Sequence, residues 1–154
     1  MRDRATVATD GAAIAGALLV LRLVAGLVFV MHGWQKLVDD GIDATQAGFD
    51  AMGVPLPQVM AIVVTVVELV GGLMLVAGFL TRLAALLLAI DMVAAMIIVH
   101  AENGFFVASG GVELVLLLAA VALALLIAGP GPWSADALIG LPGLLRADVI
   151  GSSL

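Results

Sequence analysis

Arg22, Glu68 and Asp91 sit deep inside three long apolar stretches of a 154-residue chain, where an ionisable side chain demands a reason. Arg22 lies ten residues from His32, Glu68 about ten from the start of its stretch, and Asp91 nine from His100. At 1.5 Å per residue all three fall about 13–15 Å below one boundary, close to the middle of a bilayer. One cation and two carboxylates at one level predict an inward-facing charge layer, with the forked guanidinium of Arg22 spanning both carboxylates. Their formal sum is minus one, which leaves one carboxyl to keep a proton, or to take up a proton or cation in function. Such a layer suits a proton relay and, as readily, a structural clasp holding a small bundle together.

A second polar group is expected nearer the outer ends of the same stretches: His32, Lys36, His100 and Glu113. Two histidines and a glutamate on separate helices have the donor types of a metal site. No HxxxH or ExxH spacing supports one, and a histidine at a helix end is more often an interfacial polar group, so no metal is assigned. Haem ligation by the two histidines is weaker still. Gly71-Gly72 beside Glu68 and Gly110-Gly111 beside Glu113 remove side chains next to a carboxylate, which serves close helix packing first and room for a ligand second. Phe105-Phe106 belongs to the membrane interface or to the wall of a quinone pocket.

These side chains need helices to carry them, and the composition supplies little else. The chain is 64% hydrophobic and 12% charged, with a mean hydropathy of +1.26; too few polar side chains remain to cover a soluble exterior. A soluble enzyme, a disordered tail and a nucleic-acid binder are excluded, the last also by the net charge of −6. Without cysteine the chain has no disulfide, thiolate nucleophile, iron–sulfur cluster or cysteine-ligated zinc. Redox chemistry would need another cofactor or a partner.

Apolar runs predict four spans, at residues 11–34, 59–80, 82–100 and 111–128, in a single all-α membrane domain covering 1–154. The first run contains Arg22 and lacks a clear cleavage site, so it reads as a retained helix rather than a secretory signal. Between the first two spans, residues 35–58 are acidic and broken by glycine and proline, with room for a short helix near 44–52. The sequence Gly129-Pro130-Gly131-Pro132 halts the last span, and 129–154 form a modestly amphipathic tail. Arg2, Arg4, Arg82 and Arg146 fall on one side of an even number of spans and Lys36 on the other, which places both termini in the cytoplasm of a multi-pass protein of the cell membrane. Trp34 and Trp133 mark opposite interfaces.

The stretch Arg22-Leu-Val-Ala-Gly26, Phe29, His32-Gly-Trp-Gln-Lys36-Leu, Phe49 and Gly53-Val-Pro55 resembles the opening half of the DoxX family of small four-helix membrane proteins. The resemblance continues through Glu68-Leu-Val-Gly71-Gly72, Gly78, Thr81-Arg82, Gly104-Phe105-Phe106 and Gly110-Gly111-Val-Glu113. It closes with Gly129-Pro130-Gly131-Pro132-Trp133-Ser134-Ala-Asp136, and spans roughly residues 17 to 140. It implies association with membrane redox systems: relatives are named as subunits of thiosulfate:quinone oxidoreductases or quinol oxidases. Others are linked to a complex with a superoxide dismutase and a sulfurtransferase. Arg22, His32, Lys36, Glu68 and Glu113 occupy polar positions of that family. The expected function, implied by the resemblance together with the charge layer, is a quinone-linked or anchoring subunit of an oxidoreductase assembly, in which His32 or Lys36 could bond a quinone carbonyl. The alternatives are a scaffold that performs no chemistry, and a small proton- or cation-coupled permease, which would need a homo-oligomer.

Overall fold

The computed structural model describes residues 4–140, with side chains from residue 11 onward; residues 141–154, which make up most of the expected tail, lie outside the described part. Helix α1 (Arg4–Trp34) runs without a break into a π-helical turn, Gln35–Asp39, and stops before Gly41 at φ +82°. A short helix α2 (Ile42–Ala51) follows, close to where the sequence predicts one. Proline at the first position opens α3 (Pro57–Ala77), where its missing N–H costs nothing. That helix ends at left-handed Gly78, with Gly78 N–H bonded to Leu75 O and Phe79 N–H to Met74 O, the pattern that closes a helix on a glycine. Next come α4 (Thr81–Ala95), extended by a second π-helical turn, Met96–His100, then α5 (Glu113–Ala128) and the single turn α6 (Ala135–Leu138). No strand occurs among the described residues.

Three of the four expected spans are helices long and apolar enough to cross a membrane: 11–39, 57–77 and 81–103. The fourth is apolar but shorter than its expected 111–128, with 16 residues; it rises about 24 Å against a hydrocarbon core of about 30 Å. Gly111 and Val112 belong to the preceding turn, because Glu113 folds back on the loop and accepts the Val107 N–H at 2.8 Å.

Two close pairings build the bundle. α1 and α3 meet backbone to backbone: a Cβ on Gly33 would fall 2.8 Å from the Leu69 Cα, and one on Gly72 would fall 2.8 Å from both Gly26 O and Val30 N. α4 and α5 interdigitate small and branched side chains, Ala84, Ala85, Leu88 and Ala89 against Leu118, Ala119, Ala122 and Leu125. Lipid offers apolar contact as good as any protein surface, so close packing and polar contacts, not the hydrophobic effect, hold such helices together.

The end of the bundle where α3 turns into α4 is locked by the glycine–proline segment. Asp136, fully buried, accepts Leu80 N–H at 2.7 Å and Thr81 N–H at 3.0 Å, capping α4, while its own N–H bonds Gly78 O. Arg22, 1% exposed, lays its guanidinium against Gly78 and donates to Trp133 O at 2.7 Å. Arg82 donates to Ile127 O at 2.9 Å, at the carbonyl end of α5.

Substituting Gly33 by Ala should therefore lower the detergent unfolding midpoint by the equivalent of about 1–3 kcal/mol. Gly48→Ala, with open space around its Cβ, should leave the midpoint unchanged or raise it. Asp136→Ala, which strands two helix-start N–H groups, should cost about 1–3 kcal/mol in the same assay.

Candidate functional site

The far end of the bundle, where α2 packs, holds a cavity of about 510 Å³ with a lining that is almost wholly apolar. Phe49, Met52, Met60, Val64, Met92 and Leu118 are among its walls, and His32, Lys36, Glu68, Asp91 and His100 are its ionisable members. This is the volume and character of a site for a small organic molecule: apolar walls with a few convergent polar groups.

The central polar contact is an ion pair. Lys36 Nζ donates to Glu68 Oε2 at 2.6 Å, with Glu68 almost fully buried and Lys36 partly so. Side chains on a helix lean toward its N-terminus, and α1 and α3 run antiparallel. Lys36 therefore leans into the bundle from the end of α1 while Glu68 leans outward to meet it. The π-helical turn that carries Lys36 is held by Thr45 of α2, whose hydroxyl lies 3.1 Å from Lys36 O and 3.0 Å from Gly41 O. Thr45 is thus a positioning residue that the sequence analysis missed.

Asp91 faces the same cavity from α4. Gly71 touches Leu88 across the α3–α4 contact, which brings Glu68 and Asp91, each three residues farther from the turn, to one level. Asp91 Oδ2 is buried and has no hydrogen-bond partner among the described residues. Lys36 is spent on Glu68, so the three groups leave one uncompensated carboxyl in an apolar enclosure. His100 Nδ1 lies 2.6 Å from Gly110 O; a carbonyl can only accept, so Nδ1 carries the proton and Nε2 is the acceptor of the neutral ring.

The expected charge layer is thus corrected in one member. Glu68 and Asp91 share a level, but Arg22 does not span them: it lies fourteen residues before Lys36, about 21 Å along the same helix, and binds Trp133 O. Counted from His32, Arg22 falls near the level of the carboxylates, but the helix does not end at His32 and continues to Asp39. The long Arg22 side chain also leans toward the α1 N-terminus, away from the carboxylates. Of the second group, His32, Lys36 and His100 reach the cavity, and Glu113 caps the loop. Among the described residues no three His, Asp or Glu side chains are grouped closely enough to hold a metal ion. Asp136 stands in the glycine–proline motif, and the N–H groups it caps belong to Leu80 and Thr81, 56 and 55 residues earlier in the chain.

The DoxX family model matches residues 17–101, which include His32, Lys36, Glu68, Asp91 and His100. A Haemophilus influenzae protein is 34% identical, over 77% of this chain and 87% of its own length. CatD of Bacillus subtilis, whose name assigns it provisionally to the oxidoreductases, is 34% identical over 70% of this chain and 76% of its own. The Mycobacterium tuberculosis membrane protein Rv3486 is 35% identical over 78% and 79%. No solved structure matches significantly. With three spanning helices, and with the inner membrane proteins YphA and YqjF of Escherichia coli among its relatives, the chain is a multi-pass protein of the plasma membrane. A family match over more than half its length, and relatives aligned over most of theirs, show that it belongs to the DoxX family.

Proposed function

We propose that this chain is the quinone-binding subunit of a membrane oxidoreductase assembly, with the Lys36–Glu68–Asp91 cavity as its site. The observation that carries the reading is the unpartnered Asp91 oxygen beside the Lys36–Glu68 pair in an otherwise apolar cavity of about 510 Å³. A quinone needs what such walls offer: a flat apolar slot and one or two polar groups at its carbonyls. The oxidoreductase name of CatD agrees with this reading.

When bound, the quinone supplies a two-electron, two-proton couple. This chain's residues hold and orient it and manage its protons. Lys36 is the donor placed to bond a quinone carbonyl, and its pairing with Glu68 holds the side chain in place. Asp91 is placed to exchange a proton with a quinol hydroxyl, and His32 and His100 on the cavity wall are placed to pass it on. The electrons go to a partner subunit that carries a redox group, of the kind expected in an assembly with soluble thiol or oxidative-stress enzymes. Termini in the cytoplasm would put such partners at the Arg22–Asp136 end.

Titration of the purified protein with menadione, followed by fluorescence or calorimetry, tests the reading. Saturable one-to-one binding is expected, weakened about tenfold or more in Lys36→Met and in Asp91→Asn. The double variant Lys36→Met, Glu68→Gln removes both charges together, so it should keep most of the stability that either single change loses, and still fail to bind. Arg22→Met should do the reverse, lowering the unfolding midpoint while leaving menadione affinity intact. Binding that is absent from the wild type, or indifferent to Lys36 and Asp91, would overturn the reading.

A further inference from the structure

The cavity's lining reaches the exposed flank of the bundle, and where it does so bears on the kind of ligand it admits. α3 and α4 are joined by the tight turn at Gly78–Leu80 and touch at Gly71 and Leu88, where a Cβ on the glycine would lie 3.2 Å from the leucine. Beyond that contact both helices line the cavity, and Glu68 and Asp91 stand one turn above it. Six large apolar side chains both line the cavity and lie exposed: Met52 and Val107 at the loop end, and Val63 (43%) on α3 with Leu87 (42%), Ile90 (58%) and Ile98 (43%) on α4 and its π-helical extension. The last four belong to the spanning segments. A gap bordered by these four faces hydrocarbon, not water.

We propose that Val63, Leu87 and Ile90 frame a lateral portal through which the ligand's long apolar tail passes, so that the natural ligand is a tailed, bilayer-dissolved molecule and not a water-soluble one. This rests on the quinone reading for its headgroup and adds the class of tail. The cavity volume matches a drug-sized body. A polyprenyl chain several times longer than its head cannot be enclosed with it and needs an exit at the depth of the bilayer. The charged groups stand on the inner side of the portal, so a head that enters first reaches Lys36 and Asp91 while the tail stays among the lipids. A tail gains little by leaving lipid for protein, because both are apolar. The portal therefore permits binding without strengthening it, and blocking it should act by exclusion.

The test compares menadione, a head without a tail, with a menaquinone carrying a long isoprenoid tail, on detergent-purified full-length protein. Ile90→Trp and Val63→Trp fill the portal from positions already exposed. Ile97→Trp, on the same helix at 64% exposure and away from the cavity lining, is the control. The tailed ligand should bind about tenfold or more weakly in the portal variants and normally in the control, while menadione binds all of them alike. Unchanged affinity for the tailed ligand in both portal variants would overturn the portal and leave the headgroup site standing. So would loss of the tailed ligand in Val107→Trp alone, since Val107 lines the cavity on the loop side. Failure of both ligands to bind the wild type would instead overturn the quinone reading, and the portal with it.

Discussion

A charge inside hydrocarbon has no water to turn to, and every buried ionisable group of this chain must be answered by another part of the same bundle. That constraint sorts the molecule into two ends. At the α3–α4 turn, Arg22, Arg82 and Asp136 each bond backbone, two carbonyls and two helix-start N–H groups in all, although Arg22 Nε and Nη1 and Arg82 Nε have no partner among the described residues. At the α2 end, Glu68 is answered by Lys36, and Asp91 is left with a buried oxygen that no described residue satisfies. Satisfied polar groups hold a structure together; an unsatisfied one beside a cavity is where a ligand has something to contribute.

The glycines divide in the same way. Gly26, Gly33 and Gly72 let α1 and α3 approach until their backbones touch, and that approach puts Lys36 within reach of Glu68. Gly71 seats Leu88 where α3 and α4 meet. The π-helical turns at Gln35–Asp39 and Met96–His100 carry Lys36 and His100 at the cavity rim, in keeping with the concentration of such turns at functional sites. The stable pairings are thus α1 with α3 and α4 with α5, and the cavity occupies the space between the two pairs.

Much of this was legible in the sequence. Long apolar runs gave the spanning helices because twenty apolar residues have few other uses, and glycine and proline marked the turns. Glu68, Asp91, His32, Lys36 and His100 stood out by type and depth, and the fold brings all five to one cavity. Their pairing was not legible. Arg22 was the natural partner for two carboxylates by depth alone, but helix direction decides where a long side chain ends, and the π-helical continuation of α1 moved the reference level. Thr45 and Asp136 could not be singled out as positioning residues, because each acts on backbone atoms of an element distant in the sequence or across a turn. The short fourth helix was likewise hidden: whether Gly111 and Val112 join it depends on Glu113 turning back to the loop.

The central claim is that the Lys36–Glu68–Asp91 cavity holds a quinone, and the most direct measurement is photolabelling in native membranes. An azido-quinone would be cross-linked to the chain and the adducts mapped by peptide mass spectrometry, with and without excess unlabelled quinone. The expected result is competable labelling confined to cavity-lining positions such as Met52, Met60 and Met92. Labelling spread over the lipid-facing surfaces of α1 and α5, or labelling that excess quinone does not suppress, would contradict the account.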